Sequence, residues 1–409
     1  MKENENKYDG DIVIVGGGII GSCLACLLGQ AGFKVILLDV DTKPKKSSLG
    51  NDPRVFAITI ASEKILKKTG AWPLLNEANI SSFRRMHVWD ENGTGEIRFE
   101  SASICEPTMG YIISHQVILD TLHKKLHDLE NIIYIEGVSP LLIKNETDAI
   151  TLNIDNGEQY KAKLVVAADG SNSKVRELSN ICYRKYDYKQ SALACIVTSE
   201  IPHDEAARQR FLTDGPLAFL PLKNPCESGI VWSSSPERID QLITCDKTTF
   251  HGELEAAFDN KLGKIQSSTE RNIFSLMRAQ AEHYVQPRIA LIGDSAHTVH
   301  PLAGLGANLG LLDAASLAEI LIDTFSLERD IGRLQVLRRY ERWRKGENKQ
   351  TMYLLDGFKY LFENQFQSVQ WLRNFGLDII DDMPIVKNAI MMRAMGLKGN
   401  LPKFARDFC

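Results

Sequence analysis

Three glycine-and-aspartate stretches lie far apart in the chain: Gly16-Gly17-Gly18-Ile19-Ile20-Gly21, then Ala168-Asp169-Gly170, then Gly293-Asp294-Ser295-Ala296-His297. Each directly follows an apolar run that reads as a buried strand. A glycine turn between strand and helix lets the backbone approach a phosphate closely, and the amino end of the helix favours the anion. Three such turns describe one dinucleotide gripped by separate pieces of chain. That pattern points to bound FAD.

The first stretch can be argued from local physics. Asp11-Ile12-Val13-Ile14-Val15 is a short β-branched run, and the glycines after it permit a tight turn before a helix expected over Ile19 to Ala31. The free N–H groups and positive dipole end of that helix would hold a pyrophosphate. Gly32 reads as the helix stop. Phe33-Lys34-Val35-Ile36-Leu37-Leu38 reads as the next strand, ending in Asp39, 23 positions after Gly16. A carboxylate at that spacing accepts hydrogen bonds from ribose hydroxyls and repels a 2′-phosphate.

A chain of 409 residues, 24% charged and 44% hydrophobic, has room for two or three domains with a substantial core. Its formal charge of -4 gives no reason to expect a nucleic acid partner. Met1 to Gly10 is polar, and no segment offers the ~18 uninterrupted apolar residues of a membrane span, so a cytoplasmic location is expected. Eight scattered cysteines fit a reducing compartment. Cys23 and Cys26 sit inside the first expected helix among leucines and read as packing rather than as a redox pair. His297 and His300 lack a carboxylate on the same element, so no metal site is expected; hydrogen bonding behind the site and loop structure are the roles anticipated for them.

Along the chain, a basic loop with Lys43-Pro44-Lys45-Lys46 and Asn51-Asp52-Pro53-Arg54 precedes a helix expected from Ser62 to Thr69. Phe83 to Phe99 is strand-like, and a helix is expected from Val117 to Asp128. Ile132 to Val138 alternates, and a hairpin is expected from Ala149 to Asp155 and Gln159 to Val166, turning at Asn156-Gly157. Tyr186 to Ile273 favours strands and turns. Arg288 to Ile292 reads as a third strand of the nucleotide core, a helix is expected over Ala307 to Thr324, and everything after Leu334 reads as helical.

The third stretch continues as Thr298-Val299-His300-Pro301-Leu302-Ala303-Gly304-Leu305-Gly306-Ala307-Asn308-Leu309-Gly310. That run closely resembles the signature of the flavin-dependent hydroxylases of ubiquinone biosynthesis (UbiH/UbiF/VisC type), within the class of aromatic-ring FAD monooxygenases. Asp169-Gly170 with Ser173 and Arg176, Gly110-Tyr111-Ile112-Ile113, Arg210-Phe211 ahead of Gly215-Pro216, Arg339-Tyr340-Glu341 and Ala394-Met395-Gly396-Leu397 extend the likeness. The fold it implies is α/β. A discontinuous Rossmann-like FAD-binding domain would cover 1–75, 107–185 and 280–334. A sheet-containing α+β substrate domain would cover 76–106 and 186–279, with a C-terminal helical region over 335–409.

By this resemblance Gly16, Gly18, Gly21 and Asp39 match the adenosine and pyrophosphate site, and Asp294 the acid that binds the ribityl chain. Arg54 matches an arginine near the flavin, with a surface salt bridge as its alternative. Gln116 is able to hydrogen-bond the cofactor, and Asp169 and Gly170 match a turn shared with nicotinamide-using members. Pro301, Gly304, Gly306, Ala307 and Asn308 match the loop and helix start against the isoalloxazine ring. There the N–H groups and dipole would stabilise the anionic reduced flavin, and a side chain at 304 or 306 would collide with the ring or the turn.

The activity implied is hydroxylation of a lipid-soluble polyprenylated phenol. NAD(P)H visits as a transient donor, dioxygen adds at flavin C(4a), and the hydroperoxide transfers oxygen with no protein nucleophile. Leu220, Pro221 and Trp232 stand as candidates for the wall over the ring, or as ordinary core. Leu305 departs from the family's usual glutamine, His115-Gln116 from asparagine-arginine, Ser295 from alanine and Asp39 from glutamate. The apolar spacing in Tyr353 to Phe366 and Val369 to Phe375 fits a helix over the domain interface, or one resting at the inner face of a membrane beside other ubiquinone-biosynthesis proteins. An FAD oxidase or reductase that never hydroxylates, and a non-enzymatic flavoprotein component of a quinone-biosynthesis complex, are the competing readings.

Overall fold

The computed structural model describes residues 8–42, 54–93, 95–299, 305–363, 366 and 379–406. Lys43 to Lys46, Asn51 to Pro53, His300, Pro301, Gly304 and the stripe from Val369 to Phe375 lie outside the described residues.

The β-branched run Ile12–Val15 forms β1 with all four residues buried, as in a parallel sheet covered on both faces. It pairs in parallel with β2 (Val35–Asp39) on one side and β12 (Leu164–Ala167) on the other. With β8 (Ile132–Glu136), β19 (Val285–Gln286) and β20 (Ile289–Leu291) they make a six-stranded sheet in the order β19-β20-β12-β1-β2-β8. Only β19 runs antiparallel to its neighbour. The order in which the chain adds strands reverses at β1, with β2 on one side and β12 on the other, and in open α/β sheets ligands settle outside the carboxyl ends of the strands at such a point. Helix α1 (Ile19–Gln30) leaves β1 there and packs against α3 (His115–His127) and α7 (Leu305–Phe325). Cys23 and Cys26 are wholly buried in α1, and burial pushes both thiols up, Cys26 to about 12. Packing is therefore their role, as the sequence suggests.

A nine-stranded sheet forms the second layer system: β5 (Arg85–Asp90), β6 (Glu96–Glu100), β13 (Tyr183–Ser199), β14 (Ala206–Leu212), β15 (Gly215–Pro221), β16 (Glu227–Ser234), β17 (Ile265–Ser268), β18 (Asn272–Ala281) and β21 (His297–Thr298). Alternation gives it two unlike faces. Leu193, Leu217, Phe219, Ile230 and Trp232 pack beneath α5 (Pro236–Thr244) and α6 (Lys247–Ala257). Those helices interrupt a region where the sequence favours strands throughout. Ser235 before Pro236, and Asp246 before Lys247, are the start signals that mark them.

A three-stranded sheet holds β3 (Val55–Thr59), β4 (Ile80–Phe83) and β7 (Gly110–Ser114), interleaved in sequence with strands of both larger sheets, with α2 (Ile60–Lys68) following β3. A second small sheet holds β9 (Pro140–Asn145), β10 (Ile150–Ile154) and β11 (Gln159–Ala162). The expected hairpin arm from Gln159 to Val166 is in fact two strands. β11 pairs with β10, whereas β12 enters the parallel sheet, the break falling at Lys163, whose N–H donates to Asp11 O and whose ammonium pairs with Asp11. Helix α4 (Lys174–Leu178) follows β12, and α8 (Leu334–Glu363) and α9 (Pro384–Ala394) close the chain. Among the described residues, no helix is long and apolar enough to cross a membrane.

Candidate functional site

All three glycine-and-aspartate stretches emerge at carboxyl ends of neighbouring strands. Gly16 follows β1 at φ 107°, where a Cβ would lie 2.3 Å from Ala168 O; a Cβ on Gly21 would lie 1.9 Å from Gly16 O. Only glycine fits at either place, and the close approach locks the start of α1 against the end of β12. Gly18 behaves oppositely. It is the N-cap of α1, makes no side-chain cap, has no acidic residue in the following turn, and a Cβ on it would meet nothing within 4 Å among the described residues. Uncapped N–H groups facing open space are what an anion such as a pyrophosphate requires.

Asp39 ends β2 beside this opening. Its Oδ2 accepts a hydrogen bond from Tyr134 Oη at 3.3 Å and its Oδ1 one from Asp41 N at 3.4 Å. Burial raises its pKa above the ordinary carboxylate value, with these hydrogen bonds and one from Gly17 N pulling the other way. His123 donates from Nε2 to Gly17 O at 2.8 Å, fixing the glycine turn from α3. Neither Tyr134 nor His123 carries a local sequence signal; both reach the turn from elements about a hundred residues away.

The second and third stretches are laced together. Asp169 accepts from Ser295 Oγ at 3.0 Å with one oxygen and from Val175 N at 3.1 Å with the other. Arg176 donates to Ser295 O at 3.0 Å and Ser171 O at 2.7 Å and lies 3.6 Å over the Tyr183 ring. The Asp169 carboxylate is thus engaged within the protein, while Gly170, at φ 78°, faces open space. Asp294 differs. It reaches solvent, and its carboxylate makes no hydrogen bond among the described residues. Its surroundings nevertheless withdraw it in part from bulk water, which raises its pKa, partly countered by His297. A carboxylate without a hydrogen bond among the described residues suits hydroxyl donors, and with Gly18 and Asp39 it fits FAD.

Behind the third stretch lies a buried ionic network that the sequence reading missed. His297 Nε2 bonds to Asp313 Oδ2 at 2.5 Å, and Asp313 Oδ1 accepts from Arg344 Nε at 2.8 Å and from Asn348 Nδ2 at 3.1 Å. Arg344 Nη2 donates to Asn348 Oδ1 at 2.8 Å, closing the set. Burial alone would push Asp313 up, but His297 and Arg344 outweigh it and hold its carboxyl at about 2. The Gly293 N–H also donates to Asp313, at 3.2 Å, so α8 is tied to the site through α7. Asp313 is the lone charge in the apolar run Leu309 to Ala318, a signal that could have revealed it. His297 has the supporting hydrogen-bond role anticipated for it.

Helix α7 begins at Leu305, two residues earlier than expected, so Gly306, Ala307 and Asn308 all lie in its first turn. Among the described residues, a Cβ at Gly306 would meet Val299 Cγ2 at 3.7 Å, an ordinary contact, and the turn before it lies outside those residues. The Asn308 side chain donates to Ala57 O at 2.8 Å and accepts from Thr59 N at 3.0 Å, which pins the helix start to β3. Gln116 donates to Asp120 Oδ1 at 2.8 Å along α3.

β3 forms one side of a cavity of about 230 Å³ whose other side is the second face of the nine-stranded sheet. Arg54 lines it, with Nη2 3.5 Å from His115 Nδ1 and its guanidinium 5.9 Å from the Phe274 ring centroid. Leu220 lines the cavity, as one reading of the sequence has it. Trp232 does not: it points to the opposite face and packs with Leu217 and Phe219 under α5 and α6, and Pro221 is not among the lining residues. Because strand side chains alternate, Val231 and Ser233 line the cavity in place of Trp232. Among the described residues there is no cluster of three or more metal-ligating side chains.

The profile of a family described as FAD binding domain matches residues 9–352. The chain is 33% identical over 388 residues to 3-demethoxyubiquinol 3-hydroxylase of Escherichia coli (strain K12), covering 95% of this chain and 98% of that protein. It is 31% identical over 430 residues to the mitochondrial ubiquinone biosynthesis monooxygenase COQ6 of Homo sapiens, covering 93% and 91% respectively. The crystal structure of p-nitrophenol 4-monooxygenase PnpA from Pseudomonas putida DLL-E4 superposes with a TM-score of 0.77 at 19% identity, over 95% of this chain and 98% of that one, a likeness of fold. On the strength of that profile and of relatives matched along nearly their whole length, the protein binds FAD and belongs to the flavin-dependent ubiquinone-biosynthesis hydroxylase family.

Proposed function

We propose that this protein is an NAD(P)H-dependent FAD monooxygenase that hydroxylates the aromatic ring of a polyprenylated phenol in ubiquinone biosynthesis. The observation that carries the reading is the cavity: apolar along most of its wall and bounded by β3, the strand to which Asn308 pins the start of α7. Substrate and relatives agree in kind, since the bacterial relative is named for a demethoxyubiquinol and the human one for ubiquinone biosynthesis.

When bound, FAD takes electrons from NAD(P)H and activates dioxygen for transfer to the ring. The chain's own residues bind, orient and exclude water. In this reading Gly16, Gly18 and Gly21 admit the pyrophosphate to the bare end of α1, Asp39 accepts from the adenosine ribose, and Asp294 accepts from the ribityl chain. Asp169 and Gly170 shape the turn beside them, with Asp169 acting through Ser295 and α4. Gly306, Ala307 and Asn308 place the α7 amino end where its dipole and first-turn N–H groups would stabilise negative charge on a bound flavin ring, and Pro301 and Gly304 are assigned to the same site by sequence alone. Arg54 and Gln116 border the ring side, and the Leu220 wall keeps water from the reacting oxygen. No side chain acts as a nucleophile.

The C-terminal region carries exposed apolar groups: Ile385 on α9 is 87% exposed, and Tyr360 on α8 and Phe366 beyond it are both 74% exposed. Lys359, Lys387 and Arg393 lie among them in sequence. In this reading they rest on an anionic membrane surface from which the lipid-soluble substrate is drawn. Deleting everything after Leu334 would also strip Arg344 from Asp313, so the better test is Tyr360→Ser with Ile385→Ser. Loss of vesicle co-sedimentation with FAD content intact supports the membrane contact, and unchanged co-sedimentation contradicts it. For the reaction itself, deleting the gene should accumulate a prenylated phenol lacking one ring hydroxyl, identified by mass spectrometry. An unaltered quinone pool would overturn the proposal.

A further inference from the structure

Two polar side chains in the cavity wall have no hydrogen bond within the protein. Gln209 is 7% exposed and Ser233 2% exposed, and both line the cavity. Neither side chain has a hydrogen-bond partner among the described residues, and their polar atoms are open to the cavity rather than sealed in the core. The neighbouring Arg208 differs: its guanidinium donates to His203 O at 2.7 Å and Ala206 O at 3.3 Å. Polar groups open to an otherwise apolar cavity are placed to hydrogen-bond whatever fills it, and a ligand that displaces water there must supply their partners.

Their placement on the sheet says what that ligand looks like. Gln209 on β14 stands opposite Ala218 on β15, Ala218 opposite Val231 on β16, and Ser233 two residues further along β16 on the same face. Ser233 in turn stands opposite Ala192 of β13. Gln209 and Ser233 are therefore two strands apart and offset by two residues, about 11–12 Å of backbone, with Ala218 and Val231 between them. The floor is low between two polar posts. A flat ring whose opposite edges carry oxygen substituents fits such a floor, and an amide and a hydroxyl both donate and accept.

We propose that Gln209 and Ser233 read the oxygen substituents of the aromatic substrate and thereby set which ring carbon is turned toward the α7 amino end. The inference rests on the aromatic-hydroxylase reading above and supplies its regiochemistry. A buried polar pair discriminates against a ring lacking the matching oxygen far more strongly than an apolar pocket discriminates by size.

The test uses the FAD-loaded protein and two short-chain prenylated phenols that differ by one ring methoxyl, with binding followed through the flavin absorbance band. Wild-type protein should prefer the methoxylated ring. Gln209→Leu or Ser233→Ala should weaken that ligand about tenfold, the loss of one hydrogen bond, with little effect on its partner. Gln209→Asn should recover part of the preference, and the hydroxylated products of the variants should shift in ring position. FAD content should match wild type throughout. Preference surviving in both variants, or both ligands weakened equally, overturns the role of this pair alone. Wild-type protein that binds neither phenol overturns the aromatic-hydroxylase reading and this inference with it.

Discussion

The two large sheets solve different problems, and the contrast explains which residues matter where. In the six-stranded sheet β1 and β12 are buried outright, and function sits at strand ends, where glycines and acids meet in turns. In the nine-stranded sheet function sits on one face. Its other face, with Phe219 and Trp232, is a core packed by α5 and α6. In the proposed reading, specificity on the nucleotide side would be set by backbone approach, and on the substrate side by which of two alternating sets of side chains looks into the cavity.

The largest effect tests what joins the two sides. Asp313→Ala should cost about 3–5 kcal/mol in urea unfolding, because it leaves Arg344 and His297 buried without their counter-charge. Asp313→Asn should cost less, since it keeps the shape. Next, Trp232→Ala should cost about 3–5 kcal/mol as a core cavity, whereas Leu220→Ala should cost no more than about 1 kcal/mol and act chiefly on substrate binding. Equal stability losses at both positions would erase the distinction between the two faces. Gly16→Ala, with a Cβ driven into Ala168 O at positive φ, should lower FAD affinity at least about tenfold while leaving the nine-stranded sheet folded, as flavin content against far-ultraviolet circular dichroism would reveal.

The smallest effect is in acid. Asp313 is depressed from 3.8 to about 2, so its contribution to stability is complete above 3.8 and is lost as pH falls from there toward 2. Asp294 is raised, so the penalty on its ionised form fades as pH falls through its folded value. Stability of wild type minus that of Asp313→Asn should therefore shrink over the lower window; a difference independent of pH there would contradict the network's charge.

Much of the nucleotide side was legible because its rules are local: Gly16, Gly21 and Asp39 follow from strand, turn and spacing within one βαβ unit. The substrate side was legible only in outline. Trp232 and Val231 are adjacent, equally apolar and equally strand-forming, and which of them faces the cavity depends on register with β13 and β15, not on sequence nearby. Asp313, Arg344 and Asn348 meet across two helices, and Gln209 and Ser233 across two strands, so no short window contains either set. The split of β11 from β12 at Lys163 was hidden likewise, because the run reads as continuous until Asp11 claims the lysine.

The most direct measurement of the account is the balance of NAD(P)H consumed, ring hydroxyl formed and hydrogen peroxide released by the FAD-loaded protein with a short-chain prenylated phenol. Phenol should divert most electrons into hydroxylated ring, and Leu220→Ala, by admitting water, should send more of them to peroxide. Peroxide in full yield from wild type, whatever phenol is offered, would contradict it.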